Sequence, residues 1–189
     1  MFTYGTTVLG SSRDFLLTAL LVATGLSVIS IPLSGYISDR IGRKRMYLIG
    51  AVTMGIFGFV YFALLNTMIP AVIFLAIVIS FIPHDMMYGP QAALIAECFS
   101  PRLRYSGSAL GFHLSSLIAG GPAPIIATAL FASTGSGYSV AIYILICAVV
   151  SVTATSFLPD YTNRDISQDE VYGAEPAAIP ATPGPATAD

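Results

Sequence analysis

Charge is absent from long stretches of this chain. No Asp, Glu, Lys or Arg lies between Asp14 and Asp39, and none lies from Met46 to Pro83. A helix crosses the hydrocarbon core of a bilayer with about 20 apolar residues. The uncharged runs do not alternate apolar and polar residues, as the strands of a membrane β-barrel do. The pattern predicts an all-α membrane protein with about five transmembrane helices. They fall at residues 15–35, 46–65, 71–96 (interrupted near Pro83), 107–132 and 139–158. Asn66-Thr67-Met68-Ile69-Pro70 and the Gly/Ser segment 133–138 read as turns, and Pro159-Asp160 stops the last span.

Composition agrees. The chain is 55% hydrophobic and 10% charged, with mean hydropathy +0.79, against about 25% charged in an average soluble domain. Three regions are expected. Residues 1–14 are the end of a truncated helix and a non-cytoplasmic loop, and residues 15–159 are the five-helix transmembrane region. Residues 160–189 form a disordered cytoplasmic tail, because AEPAAIPATPGPATAD has too little apolar bulk to bury a core. The N-terminal MFTYGTTVLGSSRDF lacks the basic segment and cleavage site of a signal peptide. Cys98 and Cys147 are expected as free thiols, since two cysteines make no disulfide framework.

The charge that remains is concentrated. Of eight Lys and Arg, four are Arg40, Arg43, Lys44 and Arg45, and two more are Arg102 and Arg104. Two spans separate these basic loops, so both lie on one side, and two further spans bring the C-terminus to that side. Basic loops mark the cytoplasmic face, which predicts a multi-pass protein of the cytoplasmic (plasma) membrane with a cytoplasmic C-terminus. Arg13, on the opposite side, is accompanied by Asp14.

GYISDRIGRKR, residues 35–45, is more specific than an anchor. Its Gly-x-x-x-Asp-Arg-x-Gly-Arg-Lys-Arg order resembles the loop signature of the major facilitator superfamily. The resemblance implies structural glycines at Gly35 and Gly42, a basic flank of Arg43, Lys44 and Arg45, and a cytoplasmic charge network joined by Asp39 and Arg40. ECFSPRLR resembles the Glu-x6-Arg element that the family carries two spans later, here Glu97 and Arg104, with Arg102 beside them. A cytoplasmic gating network of Asp39, Arg40, Arg43, Glu97, Arg102 and Arg104 is expected, with Asp39, Arg40, Glu97 and Arg104 as its latch, since such pairs hold one conformation and break in another.

Residues 83–130 resemble the metabolite:proton symporter branch, which includes shikimate, 2-oxoglutarate and proline/betaine transporters. The matching elements are His84, Met86-Met87-Tyr88-Gly89-Pro90, Ala96-Glu97, Arg102-x-Arg104-Tyr105-Ser106-Gly107, Leu110-Gly111 and Gly120-Gly121-x-Ala123-Pro124. Asp85 and His113 depart from the branch, where smaller residues and glutamine are more usual. The resemblance covers essentially all of residues 1–160 and aligns them with the C-terminal half of a twelve-helix fold, with Met1 inside the seventh helix.

His84 and Asp85 lie about 20 Å into the third span, where ionisable groups are costly and usually functional. His84, Tyr88, Gln91 and Ile95 share a helical face, with Asp85 turned about 100° away. His84, Asp85, Tyr88, Gln91, His113 and Tyr143 are the candidates for the substrate and proton pathway. The alternative is that His84 and Asp85 satisfy only each other or a backbone group freed by Pro83. Tyr138 reads as an interfacial anchor, and Tyr36, Tyr47 and Tyr61 belong to no site. Gly107, Gly111 and Ser115 form a small-residue stripe for helix contact, and AGGPAP, residues 119–124, should bend the fourth span.

The expected function is proton-coupled secondary transport of a small organic acid or zwitterion, with no cofactor, the proton being the coupling ion. Its partners are the lipid bilayer, the solute, and a missing N-terminal six-helix half supplied in cis or in trans; no nucleic acid is implied. Five spans make only half a cavity, so a fragment, a partner half-subunit, a non-transporting scaffold and an inactive gene remnant stay open. An enzyme is not expected. No His/Cys/Glu cluster has metal-ligand spacing, no Gly-rich phosphate loop appears, and no residue is assigned as catalytic.

Overall fold

The computed structural model describes residues 5–6, 10–159 and 161. Its helices are α1 (Arg13–Ile41), α2 (Arg43–Leu65), α3 (Pro70–Glu97), α4 (Arg104–Ser115), α5 (Ala123–Thr134) and α6 (Tyr138–Phe157), with a π-helical turn at Ser116–Gly120 between α4 and α5. No strand occurs among the described residues. Five membrane-length apolar helices result: Arg13–Ile41, Arg43–Leu65, Pro70–Glu97, Arg104–Thr134 and Tyr138–Phe157. The predicted tail lies outside the described residues, Tyr161 apart, as does most of the segment before Gly10.

Local chemistry sets the helix ends. The Ser12 hydroxyl caps α1 by accepting from the Phe15 N–H at 3.2 Å. Gly42, at φ 105°, makes the one-residue junction between α1 and α2, a backbone geometry closed to most side chains. Gly135, at φ 66°, ends α5 in the left-handed conformation. Pro70 starts α3, where its missing N–H costs no helical bond.

Two expectations are corrected. The third span is not interrupted at Pro83: α3 runs unbroken through Pro83 and Pro90. Both prolines are buried, and packing against neighbouring helices tolerates the missing backbone bond. The first span also continues beyond residue 35, so Asp39 and Arg40 lie in the last helical turns of α1. The bend expected at AGGPAP is present, as the π-helical turn followed by the Gly121-Pro122 turn.

α3 packs against both α1 and α2, and α6 packs on α2. α1 meets its neighbours through small side chains: Ala19, Ala23, Ser27, Ser34 and Ser38 are all buried. A hydrophobic cluster of Leu16, Ala19, Phe62, Leu65, Ile73, Ile77 and Ala141 closes one end of the bundle. Large apolar side chains such as Leu21, Val28, Ile29 and Val150 point outward. That is the surface a helix presents to lipid, where apolar exposure carries no penalty.

Candidate functional site

Asp85 sits at the middle of α3 with its side chain only 2% exposed. Its Oδ2 accepts hydrogen bonds from the Ser27 hydroxyl at 2.8 Å and from the Ser30 hydroxyl, both on α1. His84 Nδ1 lies 3.1 Å from Oδ1. A buried carboxylate is tolerated when its oxygens are satisfied, and three partners satisfy this one. The small side chains of α1 make the arrangement possible by letting the two backbones approach. One turn further along α3, Gly89 continues the joint: a Cβ there would stand 2.8 Å from the Ile31 carbonyl oxygen and 2.9 Å from the Gly35 nitrogen.

The other candidates separate into three places. His84 points away from α1, 51% exposed, and stacks on Tyr88 with ring centroids 5.6 Å apart. Tyr88 is exposed, and Gln91 is half-buried further along. His84 therefore touches both the outward face and the buried carboxylate, and Asp85 faces the α1 joint. His113 lies on exposed α4, along an open 390 Å³ groove lined by Ser106, Ala109, Leu110 and Leu114 of the same helix and Leu117 of the π-helical turn. Tyr143 is on α6, which packs on α2. The fold thus brings His84, Asp85 and Tyr88 together and places His113 and Tyr143 on other elements.

The charged rim joins several residues of the expected gating network. Arg43 is its centre. Arg43 donates to Asp39 Oδ1 at 3.0 Å from Nε and 2.9 Å from Nη2, and Arg43 Nη1 donates to Glu97 Oε1. Arg40 instead lies over the Tyr36 ring, 4.6 Å from its centroid, and donates to the Tyr36 hydroxyl. Arg43 opens α2 just after the Gly42 junction, where it reaches both Asp39 near the end of α1 and Glu97 at the end of α3, whereas Arg40 follows Tyr36 by four residues within α1 and pairs with it. Arg104 begins α4, half-buried, and Arg102 is exposed in the turn before it. Beside Glu97, the Cys98 thiol is pushed up by burial and then by the Glu97 carboxylate. Cys98 and Cys147 are both free.

Lys44 adds a contact that no motif announced. Its Nζ donates to the Ser156 carbonyl at 2.9 Å and the Leu158 carbonyl at 2.6 Å, neutralising the C-terminal end of α6. Arg43–Glu97 and Lys44–Leu158 together bring the α1–α2 junction, the α3–α4 turn and the end of α6 to one end of the bundle. Glu97 is 13% exposed and Asp39 57%. Glu97→Gln should therefore destabilise the rim more than Asp39→Asn. A double-mutant cycle on Arg43 and Glu97 should show coupling of about 1–3 kcal/mol in detergent unfolding. Additive effects would remove Arg43 from the centre of the rim.

Of the glycines singled out from the sequence, Gly42 makes the junction and Gly107 packs on Phe99. Gly35 lies against Gly89, with its would-be Cβ 3.8 Å from the Gly89 oxygen. Gly111 faces open space among the described residues, and Ser115 is exposed, so the expected stripe makes no close helix contact there. Sequence reasoning missed Ser27, Ser30 and the tight position at Gly89. The available signal was the recurrence of Ala19, Ala23, Ser27, Ser34 and Ser38 along a face of α1.

Five membrane-length helices, with most of their charge gathered at one rim and a single buried mid-span carboxylate among the described residues, define a multi-pass helical membrane protein. The family model of the Major Facilitator Superfamily matches residues 2–179, and the chain belongs to that superfamily of membrane transporters. It is 33% identical over 159 residues to the shikimate transporter of Escherichia coli K12, covering 83% of this chain and 36% of that protein. It is 33% identical over 147 residues to the glycine betaine/proline/ectoine/pipecolic acid transporter OusA of Dickeya dadantii, covering 78% and 28%. A putative proline/betaine transporter of Staphylococcus aureus is 29% identical over 171 residues, covering 84% and 37%. The chain thus spans about a third of the length of these curated relatives. No solved structure matches it significantly.

Proposed function

We propose that this chain provides part of a proton-coupled carrier for a small organic acid or zwitterion in the cytoplasmic membrane, with Asp85 binding the proton and His84 connecting it to the solute face. The observation that carries the reading is a carboxylate held by His84, Ser27 and Ser30 at the middle of a membrane-length helix. Charge at this depth is expensive and is retained where it moves with ions or substrate. Protonation removes that charge, and a carrier whose two conformations bind the proton unequally shifts between them. The relatives' names support a metabolite cargo: shikimate is an organic acid, and proline and glycine betaine are zwitterions.

The charged end of the bundle faces the cytoplasm in this reading, in keeping with its basic residues, and so does the end of α6. A second helical half, in cis or in trans, completes the cavity wall opposite His84 and Tyr88. The rim around Arg43 acts as the latch that opens and closes with that half.

The test is uptake of labelled shikimate, proline and glycine betaine by membrane vesicles from the source cell, with the protein in its native assembly. Depleting the protein should remove one of these activities, and a protonophore should collapse it to simple equilibration. Gradient-driven uptake unchanged by depletion for organic acids and zwitterions alike would overturn the proposal.

A further inference from the structure

We infer that Ser27 and Ser30 are positioning residues for the proton at Asp85, and that Ser27 is a two-way hydroxyl keeping α1 joined to α3 in both charge states of the carboxyl. The inference rests on proton binding at Asp85 as proposed above, and it assigns that site two residues outside every motif of the sequence.

The geometry is specific to Ser27. Its Oγ is 2.8 Å from Asp85 Oδ2 and 3.2 Å from the Ala23 carbonyl oxygen, and it carries one proton. With Asp85 ionised, the Ser27 and Ser30 hydroxyls donate to Oδ2, and His84 Nδ1–H donates to Oδ1. When a proton arrives on Oδ2, the new O–H donates to Ser27 Oγ, and the Ser27 hydroxyl turns to Ala23. The bond between helices reverses direction and is not lost. A single alanine in place of Ser27 would leave the buried, ionised carboxylate short of a donor.

The surroundings leave few other groups to interfere. On α1 no charged residue lies between Asp14 and Asp39, and Tyr36 is engaged with Arg40. On α2 the charged residues are Arg43, Lys44 and Arg45 at the rim; Tyr47 bonds Ser151 and Tyr61 packs on Phe62. On α3 itself the titratable groups are His84, Tyr88 and, at the rim, Glu97, where α4 brings Arg104, Tyr105 and, further along, His113. Of the three partners bonded to Asp85, Ser27 is buried, Ser30 half-buried and His84 exposed, so the His84 ring is the most open approach to the carboxyl.

Infrared difference spectroscopy on the full chain in lipid vesicles reads this directly. The carboxylic acid C=O band of Asp85, assigned by its loss in Asp85→Asn, is followed against pH. Ser27→Ala should move the midpoint of the band upward by about one pH unit, a tenfold gain in proton affinity, because the charged form loses a donor. Ser27→Thr should restore it, and Ser30→Ala should give a shift in the same direction. A midpoint unchanged or lowered in Ser27→Ala and Ser30→Ala would overturn the assignment, as would a band that ignores pH in every variant. Loss of the band on replacing potassium by sodium at fixed pH would assign the oxygens to a metal cation and overturn it too. Absence of uptake alongside the expected band shifts would refute only the transport reading. Proton-driven uptake with no shift would refute only the serine assignment.

Discussion

Asp85→Asn is expected to uncouple uptake from the proton gradient while leaving the protein folded in the membrane. One proton moving inward across about 100 mV supplies about 2.3 kcal/mol, enough for about 50-fold accumulation of a zwitterion without net charge. The variant has no carboxyl to release and rebind a proton, so accumulation should fall to the outside concentration, with counterflow exchange retained. The fold should survive because the amide matches the neutral acid in shape. Its N–H donates to Ser27 Oγ, the Ser27 hydroxyl turns to Ala23 at 3.2 Å, and the amide oxygen still accepts from His84. Vesicle uptake with and without an imposed gradient checks this. Accumulation at the wild-type level in Asp85→Asn would exclude the carboxyl as the coupling group.

Gly89→Val is expected to be the most damaging substitution for the bundle. Even a methyl group at Gly89 meets backbone on two sides, the Ile31 oxygen at 2.8 Å and the Gly35 nitrogen at 2.9 Å, with Ser34 Cβ at 2.9 Å. Backbone cannot step aside as the tip of a side chain can, so α1 and α3 must separate. Overpacking of this kind costs about 1–3 kcal/mol, and a branched side chain lies at the upper end. Separation also pulls Asp85 from Ser27 and Ser30, one turn away on the same helix face. Gly111→Ala provides the contrast. Nothing lies within 4 Å of a Cβ there, so removing a helical glycine should be neutral or stabilising by up to about 1 kcal/mol. Thermal or denaturant unfolding in detergent measures both. Equal stability of Gly89→Val and wild type would mean that α1 and α3 do not meet at this crossing.

The five spans were legible because the signal is compositional. Uncharged runs of membrane length need no tertiary information to be recognised. Helix edges were less legible, since a turn of helix continues past the hydrocarbon boundary without a change in local propensity, as at Asp39 and Arg40. Pro83 misled in the same way: its effect on a helix depends on what packs around it. Glycines posed the converse problem. Gly111 belongs to a regular stripe and meets nothing within 4 Å among the described residues, whereas Gly89, inside a motif read for other reasons, lies where a Cβ would come closest to another helix's backbone.

By itself the sequence determined the class of this protein: a helical membrane protein of about five spans, its basic loops on one side, carrying the loop signature of the major facilitator superfamily. Those properties follow from the cost of charge in hydrocarbon and from local spacing, and both act along the chain. Only the tertiary structure decided who pairs with whom. It gave Glu97 and Asp39 to Arg43, gave Arg40 to Tyr36, set Lys44 on the end of α6, and closed Ser27 and Ser30 over Asp85. Such pairings join residues as far apart as 44 and 158. They depend on helix phase and on how closely two backbones approach, quantities that belong to the packed bundle and not to any one segment.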